Sequence, residues 1–216
     1  MKYDTLIFDL DGTLLYTLDD LRTAVNMALR EFGWQDRTED EVRRFVGNGV
    51  RNLMRRAVPG GDKNPLFEEC FAAFKRAYAE HQFDTTRPYD GIMETVEKLQ
   101  KDGCRMAIVS NKIDFAVQDL NDRFFHMDVA AGDMEGQRRK PYPDMVFRAM
   151  EQLGCKPEKT VYIGDSEVDI QTAKNSGLDC ISAAWGFRTH EELEAAGAEV
   201  YAEKPEDLIG LVEHGI

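Results

Sequence analysis

Short apolar runs alternate with amphipathic stretches along much of the chain. Apolar side chains recur at helical spacing over residues 93–101, 143–153 and 172–175, and a glycine follows each stretch where a helix would end. The alternation from about residue 88 onward predicts βαβ units and a parallel sheet that is covered on both faces. The four strand-like runs cover residues 5–8, 105–109, 160–163 and 179–183.

The segment from about residue 17 to residue 83 differs because it contains no strand-like run. Its apolar residues have helical spacing throughout, and a turn signal at residues 88–91 marks the return to the sheet. We therefore predict an α/β protein with a doubly wound parallel sheet, a Rossmann-like core formed by residues 1–16 and 84–216. An all-helical cap, residues 17–83, is inserted after the first strand.

Composition and charge narrow the class of protein. The chain has 216 residues, of which 43% are hydrophobic, and this fraction is typical of a globular protein rather than a disordered or fibrous one. Its 27 basic and 40 acidic residues give a formal net charge of −13. Such a surface repels phosphate backbones and anionic lipids, so we expect neither nucleic acid nor membrane as a partner. A local basic pocket could still hold a small anion.

Cysteine usage and the first residues bear on the compartment. The four cysteines are isolated and form no C-x-x-C pair, which disfavours both a disulfide scaffold and a zinc site. Asp4 and Asp9 interrupt the first apolar stretch, which is therefore not typical of a signal peptide. These features predict a cytoplasmic protein.

The first strand-like run leads into Asp9 and Asp11. Residues two apart on an extended segment face the same way, and ligands of open α/β sheets bind at the carboxyl ends of the strands. Two neighbouring carboxylates ionise together only with difficulty unless a cation lies between them or one is protonated. The alternative interpretation is a turn in which the two aspartates cap the backbone.

Two further segments carry groups that suit a phosphate. Ser110 and Asn111 follow the second strand-like run, where a hydroxyl and main-chain N–H groups can bind a phosphate oxygen, although a serine there often serves only as a helix cap. Lys140 stands ahead of two prolines that fix the backbone, and its ammonium group could act as a point charge on phosphate. Arg138 and Arg139, beside it, are expected to form a solvated face.

The last acidic pair is Asp165 and Asp169, at the junction of a strand and a helix. Asp165 ends the strand and Asp169 lies about one helical turn further, so both can reach the same point. Two acidic pairs at two strand ends would form a site of hard oxygen ligands, the kind that Mg²⁺ prefers.

Taken together, the ordered segments DLDGT, SN, K-P-x-P and GDSxxD resemble the motifs of the haloacid dehalogenase superfamily of phosphohydrolases. The helical insertion resembles the small α-helical cap of that family, and the likeness covers essentially the whole chain. Within the family, residues 46–50 make the chain similar to phosphoglycolate phosphatase-like enzymes. Relatives commonly carry Asp-Ser where this chain has Tyr16 and Thr17, which puts contacts on the cap side in doubt but not the chemistry.

The resemblance implies a role for each catalytic position. Asp9 would be the nucleophile that forms an aspartyl-phosphate, and Asp11 the general acid and then the general base. Ser110 and Lys140 would hold the phosphoryl group, with Asn111 beside them as a further substrate-binding residue.

The same resemblance implies a magnesium site. Mg²⁺ would bind Asp9, the main-chain carbonyl of Asp11 and Asp165, while Asp169 would support the metal or Lys140. Thr13 would orient the first loop and contribute to substrate binding.

In the cap, a turn flanked by glycines could present Asn48 and Arg51 to the leaving group of a substrate. The simpler interpretation is a turn between two helices.

The function predicted is that of a Mg²⁺-dependent phosphatase, a monomer or weak homodimer, that acts on a small phosphorylated metabolite similar to 2-phosphoglycolate. A phosphosugar mutase or a pyrophosphatase of the same superfamily is the alternative. A phospho-accepting signalling receiver combines similar groups, but receivers are much shorter and lack a helical insertion. Dehalogenation is disfavoured because such enzymes generally lack the second aspartate, present here as Asp11.

Overall fold

A computed structural model describes all residues, 1–216, and divides the chain into two compact units. The first unit contains Met1–Leu15 and Pro88–Ile216, and the second contains Tyr16–Arg87. The predicted cap, residues 17–83, therefore begins one residue later and ends four residues earlier than the second unit.

The first unit is built on a six-stranded parallel sheet with the order β5-β4-β1-β6-β7-β8, which confirms the predicted α/β class. The strand β1 lies in the centre, where Thr5 is in register with Arg105 on one side and Thr160 on the other. The strands are β1 Thr5–Phe8, β2 Leu15–Tyr16, β3 Arg87–Pro88, β4 Arg105–Ile113, β5 Val129–Asp133, β6 Thr160–Gly164, β7 Asp179–Ala183 and β8 Tyr201–Ala202. The short strands β2 and β3 pair with each other where the chain passes from one unit to the other and back.

Ten α-helices complete the two units, and none of them has both the length and the apolar character needed to cross a membrane. In the first unit, α7 presents Met145, Val146 and Ala149 to the sheet, where they join a buried cluster with Ile7 and Tyr162. The helices are α1 Leu18–Glu31, α2 Glu39–Phe45, α3 Val50–Ala57, α4 Phe67–His81, α5 Ile92–Lys101, α6 Asp114–Leu120, α7 Asp144–Leu153, α8 Glu167–Ser176, α9 His190–Ala195 and α10 Asp207–His214.

The sheet differs from the prediction at its edges and in one central strand. The edge strand β5 was not predicted because its sequence VAAGD has small side chains and is only partly buried, and the two-residue strand β8 is too short to leave a pattern. The strand β4 continues to Ile113, past the predicted end at residue 109, with a register shift between Val109 and Ile113. Ser110 and Asn111 therefore lie within a strand and not after one.

The second unit consists of α1 to α4, with α1 packed along α4. Asp20, near the start of α1, is buried and accepts hydrogen bonds from the main-chain N–H groups of Thr85, at 3.0 Å, and Thr86, at 2.9 Å. The hydroxyl of Thr85 also donates to Asp20, at 2.6 Å. Because a buried carboxylate needs such donors, Asp20 ties the segment that leaves the second unit to its first helix.

Candidate active site

The carboxyl ends of β1, β4 and β6 lie side by side at one edge of the sheet. The candidate residues of the first unit lie at or near these strand ends. Asp9 comes directly after β1, and its N–H donates to the carbonyl of Ile163 in β6 at 2.9 Å. Asp165 comes directly after β6. The parallel pairing of the two strands therefore places these aspartates next to each other.

Asp9, Asp165 and Asp169 form a buried acidic cluster, with one carboxylate oxygen of each lying within 4.8 Å of the others. Asp169 is fixed by a capping box at the start of α8, where its Oδ2 accepts hydrogen bonds from the N–H of Ser166 at 3.1 Å and from its hydroxyl at 2.6 Å. Three buried carboxylates repel one another, so the folded chain needs positive charge or protons at this place.

Burial is the main cause of the raised pKa values of two of these carboxyl groups, those of Asp9 and Asp165. It raises the pKa of Asp9 to about 7, with Lys140 opposing and Asp169 reinforcing the rise. Burial and the charges of Asp169 and Asp9 also raise the pKa of Asp165 well above its usual range, although the N–H of Phe187 opposes this.

Lys140 supplies the positive charge within the cluster. Its Nζ lies 2.9 Å from Oδ1 of Asp9, 2.8 Å from Oδ1 of Asp169 and 3.1 Å from the hydroxyl of Tyr162. Burial lowers the pKa of this ammonium group, but Asp169 and Asp9 outweigh burial and raise it well above its usual range. Lys140 is therefore a fixed cation beneath Asp9.

The carboxylate of Asp165 is held from two sides, and glycines make room for it. Thr13 donates from its hydroxyl to Oδ1 at 3.0 Å, and the N–H of Phe187 donates to Oδ2 at 2.7 Å. A Cβ atom at Gly12 or Gly186 would collide with the side chain of Asp165. The backbone can approach the acidic cluster this closely only because both positions are glycine.

The donor set of this cluster is compatible with Mg²⁺. Its groups are carboxylate oxygens, the ligands that a hard divalent cation prefers. Oδ1 of Asp9 is buried and has no hydrogen-bond partner, although it forms an ion pair with Nζ of Lys140 at 2.9 Å. An orphaned oxygen of this kind is available as a metal ligand.

Asp11 lies outside the acidic cluster, although its charge contributes to the raised pKa of Asp9. Its Oδ1 forms an ion pair at 2.8 Å with Nζ of Lys112, a side chain that is only 1% exposed. The expectation that Asp9 and Asp11 point together holds only in part. The strand ends at Phe8, and the alternation of side chains therefore does not continue through Asp11.

Ser110 and Asn111 are buried at the same edge of the sheet. The amide of Asn111 donates to the main-chain carbonyl of Lys140 at 3.0 Å, so it holds the lysine-bearing loop. The hydroxyl of Ser110 accepts from the N–H of Lys112 at 3.3 Å. Asn111 thus has a structural contact here in addition to its predicted role with substrate.

The two predicted cap residues belong to the second unit. The carbonyl of Asn48 accepts a hydrogen bond from the side chain of Asn52 at 2.8 Å. Arg51 forms an ion pair with Glu68, and its guanidinium group lies 5.1 Å from the centre of the Phe67 ring. The charge of Arg51 is therefore already partnered, and its contact with a substrate stays a prediction.

Three residues of the site were missed by the sequence reasoning. Tyr162 stands within an apolar run and looks like a core residue, but its hydroxyl contacts both Lys140 and Asp169. Arg188, buried in the loop after β7, pairs with Glu167 at 2.9 Å. Lys112 could have been found, because it continues directly from Ser110 and Asn111 in a segment too apolar for an unpaired lysine.

Comparison with known proteins decides the family. The sequence model of the haloacid dehalogenase-like hydrolases matches residues 6–183. The chain belongs to this family. A phosphoglycolate phosphatase of Aquifex aeolicus is 32% identical over 216 residues, which cover 98% of this chain and 97% of the relative. One from Pseudomonas syringae pv. tomato is 38% identical over 193 residues, covering 84% of this chain and 70% of the relative.

A solved structure matches this chain in fold and over nearly its whole length. A protein of Lactobacillus delbrueckii subsp. bulgaricus, provisionally named phosphoglycolate phosphatase, superimposes with a TM-score of 0.93 at 37% identity, covering 98% of this chain and 99% of its own. The family and these relatives identify the chain as a phosphatase, a phosphoric monoester hydrolase. As an enzyme it falls outside the class of signalling receivers, which was the non-enzyme alternative.

Proposed function

We propose that this phosphatase depends on Mg²⁺ and hydrolyses a small phosphorylated metabolite of the 2-phosphoglycolate type through an aspartyl-phosphate intermediate. The observation that carries the proposal is the buried cluster of Asp9, Asp165 and Asp169 around the ammonium group of Lys140. The relatives named phosphoglycolate phosphatase support this substrate class over the mutase and pyrophosphatase alternatives.

In the first step, a carboxylate oxygen of Asp9 attacks the phosphorus atom in line with the leaving group. A bond forms between Asp9 and phosphorus while the ester P–O bond breaks, and Asp11 gives its proton to the departing oxygen. Lys140 and Ser110 bind the phosphoryl oxygens, whose negative charge spreads in the transition state. The product alcohol leaves, and Asp11 remains as a carboxylate.

In the second step, water attacks the phosphorus atom of the acyl phosphate on Asp9. Asp11 accepts a proton from that water, the bond between Asp9 and phosphorus breaks, and inorganic phosphate is released. Both carboxyl groups thereby return to their starting forms. A carboxylate nucleophile divides one difficult displacement into two easier ones.

The proposed metal ligands are Asp9, Asp165 and the main-chain carbonyl of Asp11, with Asp169 supporting them or Lys140. Bound Mg²⁺ would neutralise charge on the phosphoryl oxygens and favour the ionised form of the surrounding carboxylates. Lys140 and the bound cation together would offset the three carboxylates and give a small phosphate a local binding site in a chain of net charge −13. A cytoplasmic location and a monomeric or weakly dimeric state remain predictions.

The test compares hydrolysis of 2-phosphoglycolate, a hexose phosphate and pyrophosphate by metal-free protein with and without added Mg²⁺. We expect phosphate release from 2-phosphoglycolate, its loss in EDTA, and no conversion of one hexose phosphate isomer into another. Undiminished hydrolysis without metal, or isomer conversion without phosphate release, contradicts the proposal.

Two variants test the covalent step. Asp9→Asn should abolish turnover, while Asp11→Asn should slow it by 10²- to 10⁴-fold, roughly the worth of a general acid or base, and let the phosphorylated chain accumulate for detection by intact-protein mass spectrometry. Asp4→Asn is the matched control, because Asp4 pairs with Arg105 at 3.1 Å and has a half-exposed side chain away from the cluster. Retained turnover in Asp9→Asn would remove Asp9 as the nucleophile.

A further inference from the structure

The edge of the sheet that holds the acidic cluster contains a second buried ammonium group besides that of Lys140. Lys112 is 3% exposed as a residue, and its Nζ lies 2.8 Å from Oδ1 of Asp11. Lys112 takes no part in the two proposed chemical steps. Lysine is rarely buried unless it is paired, because removing an ammonium group from water is costly when no partner compensates for the lost hydration.

The local fold holds Lys112 firmly in this place. The shift in register between Val109 and Ile113 lets β4 extend past its pairing with β1, and this extension carries the lysine. Just beyond it, the carboxylate of Asp114 accepts a hydrogen bond from the N–H of Gly132 in β5 at 2.8 Å. A Cβ atom at Gly132 would collide with the backbone of Asp114, so the two segments approach as closely as they can. The extension is therefore anchored to the edge strand.

Lys112 contacts the one aspartate of the site that stands apart from the others, Asp11. The carboxylates of Asp9, Asp165 and Asp169 gather in one cluster, whereas that of Asp11 lies outside the cluster and against Lys112. The side chain of Asp11 is 13% exposed, so it keeps access to solvent while its partner has almost none. This exposure is compatible with a carboxyl group that exchanges protons with a leaving group and with water.

We propose that Lys112 is a positioning residue for proton transfer in the phosphatase reaction, an inference that rests on the proposed function. Its ammonium group holds Asp11 away from the cation site and toward the leaving oxygen. The contact of 2.8 Å fixes the place of the Asp11 carboxyl group, from which it exchanges its proton with the leaving oxygen. The ester P–O bond breaks as before, and the proton travels from Asp11 to the leaving oxygen.

The dependence of rate on the leaving group distinguishes this role from a merely structural one. The p-nitrophenolate ion is a stable leaving group that needs little help from a proton, whereas the alkoxides that leave 2-phosphoglycolate and glycerol phosphate need protonation. The quantity to compare is kcat/KM, which covers the steps up to the first phosphoryl transfer. Hydrolysis of the phosphorylated enzyme is a later step that all three substrates share, so it does not affect this comparison of kcat/KM.

The variant Lys112→Met removes the ammonium group and keeps an unbranched side chain. We expect kcat/KM for the two alkyl esters to fall by about 100-fold, the lower range for a general acid, and that for p-nitrophenyl phosphate by less than about tenfold. Lys112→Arg should restore part of the loss on the alkyl esters. Lys112→Gln serves as a second variant with the charge removed, in case the methionine variant does not fold.

Two controls complete the experiment. Lys98→Met removes a lysine that pairs with Asp102 on the surface, and it should leave all three rates unchanged. Asp11→Asn should show the same dependence on the leaving group, and adding Lys112→Met to it should cost little more.

An equal loss on all substrates, or no loss, overturns the role of Lys112. If the wild-type protein hydrolyses none of the three esters in Mg²⁺, the proposed function itself fails, and that result is recognisable before any variant is made.

Discussion

Replacing Asp9 by asparagine should abolish turnover and at the same time stabilise the metal-free protein. Asp9 is 7% exposed, and its desolvation raises its pKa from the ordinary value of 3.8 to about 7 even with Lys140 beside it. The folded chain therefore holds a proton at Asp9 that the unfolded chain releases. Above pH 7, the free energy of unfolding is lowered by the cost of keeping this group ionised.

The magnitude follows from the two pKa values of Asp9. At about 1.4 kcal/mol per pKa unit, the difference between 3.8 and about 7 corresponds to about 4 kcal/mol. Between these values the folded state binds more protons than the unfolded state, so stability falls as pH rises through this range and then stays level. Asparagine resembles the protonated carboxyl group, so Asp9→Asn should recover about 4 kcal/mol near pH 8 and less than half of that near pH 5.

Thermal unfolding in EDTA measures this difference. For a chain of this length, about 4 kcal/mol corresponds to a rise in Tm of roughly 10 °C. Trp185 lies in the unit that contains Asp9, whereas Trp34 lies in the other unit, so Trp34→Phe leaves fluorescence that reports on the relevant unit. A variant that is less stable than wild type near pH 8, or a difference that does not change with pH, would refute the reasoning.

Three further predictions concern the same charges and the cap. Tyr162→Phe should lower kcat about tenfold, because each hydrogen bond to a charged group such as Lys140 contributes about 1.5–3 kcal/mol. Tyr3→Phe is the matched control and should keep the wild-type kcat, since the hydroxyl of Tyr3 donates to Asp179, at 2.6 Å. Asp20→Ala should lower the free energy of unfolding in urea by about 3 kcal/mol, because it leaves two main-chain N–H groups and a hydroxyl without their acceptor; unchanged stability would contradict this. Binding of Mg²⁺ should release protons near neutral pH, because Asp9 has to ionise, so affinity measured by calorimetry should increase from about pH 6 to about pH 8; an affinity independent of pH would contradict this.

The central part of the fold could be predicted because its sequence signals are local. The strands β1 and β7 lie within the predicted limits, since each is a short apolar run that ends in polar residues. The edge strand β5 has no such signal, because alanine and glycine at a half-exposed edge carry no alternation. The end of β4 also escaped prediction, since its extension depends on pairing with β5 and not on its own residues.

The acidic cluster was predictable in composition but not in full geometry. The spacing of Asp165 and Asp169 on a strand and the following helix turn brings both to one point, and the structure places them there. The partners of the two buried lysines, Lys140 and Lys112, are determined by tertiary contacts between segments far apart in sequence. Tyr162 reads as an apolar core position, and the pairing of Lys112 with Asp11 spans 101 residues, so neither contact leaves a local pattern.

The balance of charge in the acidic cluster bears on how Asp9, the proposed nucleophile, becomes ionised. Asp9, Asp165 and Asp169 face one buried ammonium group, that of Lys140, and the excess of negative charge is relieved by protons that burial holds on Asp9 and Asp165. A protonated Asp9 is a poor nucleophile, and a fully ionised cluster would repel a phosphate dianion. The proposed divalent cation would remove both obstacles together, because it would favour the ionised form of Asp9 and offset the negative charge around it. If the proposed cation binds there, the same burial that destabilises the metal-free protein would couple ionisation of Asp9 to metal binding.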